Sequence, residues 1–206
     1  MKKYINEVRE YYREEYSYND PAHRIDHTDK VCSEALYIVE ELNLNVNKRM
    51  VVVAAYVHDL KCHVNRTAHN TLGAKYVMEA KDDKILNEFS RHQRLVIAKA
   101  VLQHRSSYRG ARGNILSNII ATADIGPLCV NEVIMRSFKY NSRLDISFEE
   151  KCKNVYDHLK DKFGSNGYRV YPEFYTEVYG PAINIFNALI DGIQLEDVVK
   201  VIKENT

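Results

Sequence analysis

Residues 51–60 read VVVAAYVHDL: seven apolar residues in a row, then a histidine and an aspartate side by side. Valine favours strands. The length of the segment, its central Ala54–Ala55 pair and the lack of period-two alternation nevertheless predict a helix over 48–60, buried on most of its sides. Other elements must enclose that helix. The enclosure must also accept two polar side chains, His58 and Asp59, at the end of a core element.

The rest of the chain supplies helices to do this. Val31, Ala35, Ile38, Val39 and Leu42 recur at three and four, which gives one apolar face, and NLNVN after them reads as a turn. Asn65 or Thr67 can cap a helix that carries His69, Leu72, Gly73, Tyr76, Val77 and Ala80. Ile97, Val101 and His104 share a stripe over 93–104. The basic, glycine-containing RSSYRGARGN is a loop. Leu116, Ile120 and Asp124 share the next face, over 114–125. Phe148, Cys152, Val155, Leu159 and Phe163 mark another amphipathic helix, GSNGYRVYPEF breaks it, and PAINIFNALIDG and LEDVVKVIKEN close the chain, with Pro181 as a first-turn proline. The expected fold is all-α: a single domain over 1–206, built as a compact bundle over 20–130 with a helical extension over 131–206.

Charge and composition exclude some classes. A formal net charge of +1 gives no bulk signal for nucleic acid, and no segment has the roughly 18 apolar residues needed to span a bilayer. MKKYINEVREYYREEY interrupts any apolar stretch with charges and tyrosines. Cys32, Cys62, Cys129 and Cys152 are widely spaced. Reduced thiols and a cytoplasmic location are the expectation.

His27, the His58–Asp59 pair, His69, His104 and Asp124 each end or interrupt an apolar helical stripe. An ionised carboxylate among apolar residues, such as Asp124 after IIATA, costs several kcal/mol unless something neutralises it. Pairing with Arg24 is one solution for Asp124, and helix capping is one for Asp59. A divalent transition metal is another, because imidazole and carboxylate together suit Fe, Mn, Zn, Co or Ni. Neighbouring helical residues project about 100° apart. His58 and Asp59 can therefore meet one ion at different vertices, or the carboxylate can reach a second.

These segments resemble the HD-domain superfamily of metal-dependent phosphohydrolases. HRIDHTDKV is similar to the family's R-x-x-H-[ST]-x-x-V opening, and VVVAAYVHDL to its apolar run ending in HD. HNTLGAKYV, AVLQHRSS and ATADIG follow in the family's order. The resemblance covers about residues 20–130. It implies a helical HD fold with His27, His58, Asp59 and Asp124 holding one ion, and with Asp59 bridging to a second ion held by His69 and His104. Members that keep one ion would leave His69 or His104 to the substrate, and His63 competes with His69 for its place. His23, His92 and His158 have no motif context and are expected at the surface, His23 near the mouth of the site.

The chemistry so implied is hydrolysis of a phosphomonoester or phosphodiester of a small molecule, a nucleotide among them, by metal-activated hydroxide. Asp59, Lys61 and Arg105 are the candidate catalytic residues. Arg24, Arg66, Arg109 and Arg112 are the candidate substrate-binding cations, with RSSYRGARGN as a basic loop at the mouth. The chain departs from the named subfamilies. Lys61 follows Asp59 by two, and Cys62 occupies the third place, where the HD-GYP cyclic-dinucleotide phosphodiesterases and the diadenosine tetraphosphate hydrolases usually have lysine. The acidic pair of the deoxynucleotide 5′-phosphatases and guanosine tetraphosphate hydrolases is missing too. An HD-fold di-iron oxygenase uses the same six-residue pattern, and a non-catalytic metal-binding or sensing module is a third class. Residues 131–206 are expected to cover the cleft, shape substrate choice or mediate homodimer formation.

Overall fold

A computed structural model describes residues 1–206. It is all-α: α1 (Lys2–Ser17), α2 (Ile25–Glu41), α3 (Lys48–Val57), α4 (His69–Glu79), α5 (Arg91–Gln103), α6 (Ile115–Ile125), α7 (Val130–Asn141), α8 (Phe148–Phe163), α9 (Glu173–Tyr179), α10 (Ala182–Gly192) and α11 (Leu195–Glu204), with one 3₁₀ turn at Leu86–Glu88 and no strand. No helix is long and apolar enough to cross a membrane.

Residues 1–19, 23–126 and 171–178 form one compact unit. Its axis is α3, where every side chain from Val51 to Val57 is at most 1 % exposed. Helices α1, α2, α5 and α6 pack around it, which is what a segment without a polar face requires. Each valine so enclosed contributes about 1.5–3 kcal/mol of transfer free energy. Asn47 starts α3 by accepting from the Arg49 amide, 2.9 Å away.

The sequence reading assigns no stripe to 2–17, yet α1 forms, because Val8, Tyr12 and Tyr16 recur at i, i+4 and i+8 and are all buried. Tyrosine can line a core when its hydroxyl finds a partner. Tyr16 donates to Tyr56 O at 3.0 Å and Tyr12 to Asp83 Oδ2 at 2.9 Å. Asp83 also accepts from the Tyr76 hydroxyl and from the Ile85 and Leu86 amides, so its buried carboxylate joins α1, α4 and the 3₁₀ turn. Helix α9 starts in the last two residues of the stretch read as a break and runs beyond it. It forms just after Pro172, and its buried Tyr175 donates to Gly126 O at 2.8 Å. Gly126 ends α6 at φ 65°, a conformation that glycine adopts without penalty.

Residues 20–22, 127–170 and 179–206 form a second compact unit. Here α7, α8, α10 and α11 enclose Ile134, Val155, Leu159, Phe186, Ile190 and Ile202. Ser147 and Glu150 make a reciprocal capping box at the start of α8. Pro181 takes the position just before α10 rather than its first turn, at φ −64°.

Gly73 allows α4 to approach its neighbours. A Cβ at this position would meet Val101 Cγ1 at 2.9 Å and the backbone oxygens of Val57 and His58 at 3.5 and 3.8 Å. Valine is stiff about χ1, so Gly73→Ala incurs about 1–3 kcal/mol of overpacking against a helix-propensity gain of about 0.5–1 kcal/mol. Denaturant unfolding is expected to show a net loss of stability. A net gain would mean that α4 and α5 are not in contact at this point.

Candidate metal centre

The HD pair does not continue α3. The helix ends at Val57, His58 is its C-cap in αR geometry, and residues 58–64 run on as turns. The turn that follows is held by Asn19, buried to 3 % exposure. Its Nδ2 donates to Asp59 O (3.1 Å) and to His23 O (2.9 Å), and its Oδ1 accepts from the His63 amide (2.9 Å). A side chain from the end of α1 thus replaces the helical partners of two backbone groups, and the chain turns away. Nothing in the local pattern YSYNDP marks Asn19 for this role.

Around Asp59 the structure gathers all six candidate ligands: His27 on α2, His58 at the end of α3, Asp59, His69 opening α4, His104 capping α5 and Asp124 near the end of α6. Asp59 Oδ2 lies 3.3 Å from His58 Nε2 and 3.8 Å from His27 Nε2. Its other oxygen, Oδ1, lies 3.1 Å from His69 Nε2 and 3.4 Å from His104 Nε2. One carboxylate therefore faces two histidine pairs. Asp124 Oδ1 completes the first side, 3.1 Å from His27 Nε2 and 3.8 Å from His58 Nε2. Three imidazoles are anchored alike through Nδ1: His58 to Ala55 O (2.7 Å), His69 to Arg66 O (2.8 Å) and His104 to Val101 O (2.7 Å). That bond fixes the tautomer and turns each Nε2 inward.

Metal fits these residues. His27, His58, Asp59 and Asp124 each offer a ligand atom within 4.8 Å of the others. His58 Nε2 is buried and makes no hydrogen bond of acceptable geometry, although Asp59 Oδ2 is 3.3 Å away. A buried nitrogen so placed needs a partner. Burial opposes ionisation of Asp59, but the His58 charge and the close approach of the His104, His58 and His69 rings outweigh it and hold the carboxyl well below its usual range. Burial also opposes charge on His58, yet Asp59, Asp124 and Ala55 O carry its pKa up to about 9. Burial lowers the pKa of His104. The exposed edge of the cluster is Asp124, whose side chain is 18 % accessible.

Of the two competing histidines, His69 is the one in the cluster. His63 instead faces Glu15 (3.5 Å) and Asn19. His23 departs from its expected surface place: it is buried, its ring is edge-on to His27 at 5.9 Å, and its Nε2 lies 2.9 Å from Arg66 Nη2. His158 is half-buried in the second unit, and burial with Lys162 nearby takes its pKa down to about 4. Only His92 is fully exposed, as expected of all three.

Among the cations, Arg66 is at the cluster, with Nη1 3.2 Å from His69 Nδ1. Since Nδ1–H already donates to Arg66 O, that approach is a ring contact rather than a second hydrogen bond. Lys61 is engaged elsewhere, paired with Glu15 at 2.7 Å and seated over the Tyr76 ring. Arg105 donates to Thr67 O, while Arg112 donates to Gln103 O and Arg105 O and so holds the basic loop together. Arg109 is exposed on that loop. Arg24 is the exposed N-cap residue of α2, and the partner of Asp124 is His27, not Arg24. Cys62, not among the expected ligands, is buried and offers its sulfur within 4.8 Å of ligand atoms of Asp59 and His69.

No family model and no curated protein matches the chain. A solved structure does. A predicted HD superfamily hydrolase from an uncultured Thermotogales bacterium is similar over 74 % of this chain and 83 % of its own, with a TM-score of 0.51 and 25 % sequence identity. This chain is an HD-superfamily protein. The HD dipeptide is thus the turn between α3 and the segment leading to α4, and it lies where the six side chains converge.

The metal-free HD cluster has a defined pH signature. His58, raised to about 9, contributes stability that is full below its unfolded value near 6.5 and is lost as pH rises through 9. His104, lowered, contributes in the opposite sense and loses stability as pH falls below about 6.5. The contribution of Asp59, lowered, is lost on acidification below about pH 4. In excess chelator the thermal midpoint is expected to peak near pH 6.5. Asp59→Asn is expected to flatten the alkaline limb, and a limb unchanged in that variant would contradict the assignment to His58.

Proposed function

We propose that this HD-superfamily protein is a metal-dependent phosphohydrolase that cleaves a phosphate ester of a small molecule, a nucleotide in the first instance. The carrying observation is the Asp59 carboxylate, with one oxygen toward His58 and His27 and the other toward His69 and His104. On this reading His27, His58, Asp59 and Asp124 hold one divalent transition-metal ion, and Asp59, His69 and His104 hold a second. The similarity to a predicted HD superfamily hydrolase supports the reaction class.

Bound ions of this kind polarise the phosphoryl group and bring the pKa of a bound water toward neutrality. The protein contributes the remainder. Ionised Asp59 neutralises positive charge between the histidine pairs. The Nδ1 anchors keep the Nε2 lone pairs aimed without reorganisation. Arg66, beside His69 and His23, binds the substrate phosphate through a charged fork, and Arg109 offers a second cation from the loop. Arg105 and Arg112 act by shaping that loop. Lys61 acts by joining Glu15 to the HD turn.

The test is metal content by elemental analysis together with hydrolysis of a panel of nucleotides. Asp59→Ala is expected to lose both metal and turnover while remaining helical by circular dichroism. Arg66→Ala is expected to keep the ion held by His27, His58, Asp59 and Asp124 and to lose about 10- to 100-fold in kcat/KM, the equivalent of one charged hydrogen bond. Full turnover in Asp59→Ala would overturn the reading. Bound iron with oxygen uptake and no phosphate release would replace it with the di-iron oxygenase.

A further inference from the structure

Cys62 lies three positions after Asp59, and the turn between them is closed by a bond from the Cys62 amide to Asp59 O at 3.0 Å. Residues three apart on such a turn project to one side, so Cys62 is delivered toward the same space as Asp59. Its sulfur, one Asp59 oxygen and one His69 nitrogen all lie within 4.8 Å of one another, and all three residues are at most 5 % exposed. An oxygen, a nitrogen and a sulfur donor packed this closely form a ligand set for a borderline or soft divalent ion. A second observation comes from outside the sulfur. Arg66 Nη1 is 3.8 Å from Cys62 Sγ, and a cation beside a thiolate is the outer support that a sulfur ligand needs.

We propose that Cys62 is a thiolate ligand of the second metal position, beside Asp59 and His69, and biases that position toward zinc, cobalt or iron over magnesium or manganese. The inference rests on the two-ion reading above and specifies the chemistry of its less conventional half. Binding replaces the Sγ–H bond with a sulfur–metal bond and releases one proton to solvent. His104, whose Nε2 is 3.1 Å from that of His69, remains available to the same ion. Of the other cysteines, Cys32 and Cys152 are buried in apolar surroundings and Cys129 is exposed.

The experiment is a cobalt(II) titration of the full-length, metal-free protein, followed by absorption and equilibrium dialysis, for wild type and Cys62→Ser. Two ions are expected in wild type, with a thiolate-to-cobalt charge-transfer band in the near ultraviolet that grows with the second equivalent. Cys62→Ser is expected to lack the band and to bind its second ion at least about tenfold more weakly, the loss typical of even an outer-shell partner, with the first ion unchanged. Alkylation with iodoacetamide, mapped by peptide mass, needs no variant: cobalt should protect Cys62 and leave Cys129 reactive. Two ions without the band or the protection would overturn the role of Cys62 and leave the two-ion reading standing. One ion, or none, with Cys62 alkylated at the metal-free rate, would overturn both.

Discussion

A carboxylate at 3 % exposure, surrounded by imidazoles rather than water, is the interaction on which this molecule is organised. An isolated buried carboxylate is costly enough that it would protonate or disrupt the packing. Asp59 does neither, because histidines converge on both of its oxygens from α2, α4 and the ends of α3 and α5. Of these, α2 and α5 pack directly on α3, and α4 packs on α5. Displacing α2 or α5 would both expose valines and remove a partner from the carboxylate, so core packing and site geometry are coupled through one residue.

One local device recurs three times in building the site. His58, His69 and His104 each donate Nδ1–H to the carbonyl three residues earlier. At the ends of α3 and α5 those carbonyls have no further helical donor, and the imidazole satisfies them while its other nitrogen faces the cluster. A histidine placed just past an apolar helix therefore completes the helix end and presents a ligand atom in fixed orientation. This answers why buried segments should finish in polar residues: the rigid element sets the direction, and the orphaned carbonyl sets the rotamer.

Much of this was legible from side-chain pattern alone, for a physical reason. A helix enclosed on all sides, like 51–57, leaves a continuous apolar run, and a polar residue that ends such a run needs a partner; that logic reaches His58, Asp59, His104 and Asp124 without a structure. The parts that were not legible depend on tertiary partners. Asn19 and His23 are polar residues in a turn, and only folding brings them to Asp59 O and Arg66. The turn after α3 is held by Asn19, for which there is no local signal. The tyrosines of α1 read as polar until their hydroxyls find Asp83 and Tyr56 O. The arginines of the basic loop looked alike, yet two of them hold backbone carbonyls.

Charge bears on the proposed chemistry. With neutral imidazoles, Asp59 and Asp124 give the cluster a formal charge of −2, which repels a phosphate ester. One divalent ion brings the site to neutrality, and only a second makes it attractive to an anionic substrate. If Cys62 joins as thiolate, the protein's own charge becomes −3, and two ions leave +1, with Arg66 adding a cation at the rim. On that reading the two-ion site would be only weakly positive. The phosphate would then depend more on an arginine fork than on a strong field. Such balance favours release of the hydrolysed phosphate as much as capture of the ester. It also makes Arg66, seated between His69, His23 and Cys62, the residue through which ligand chemistry and substrate binding meet.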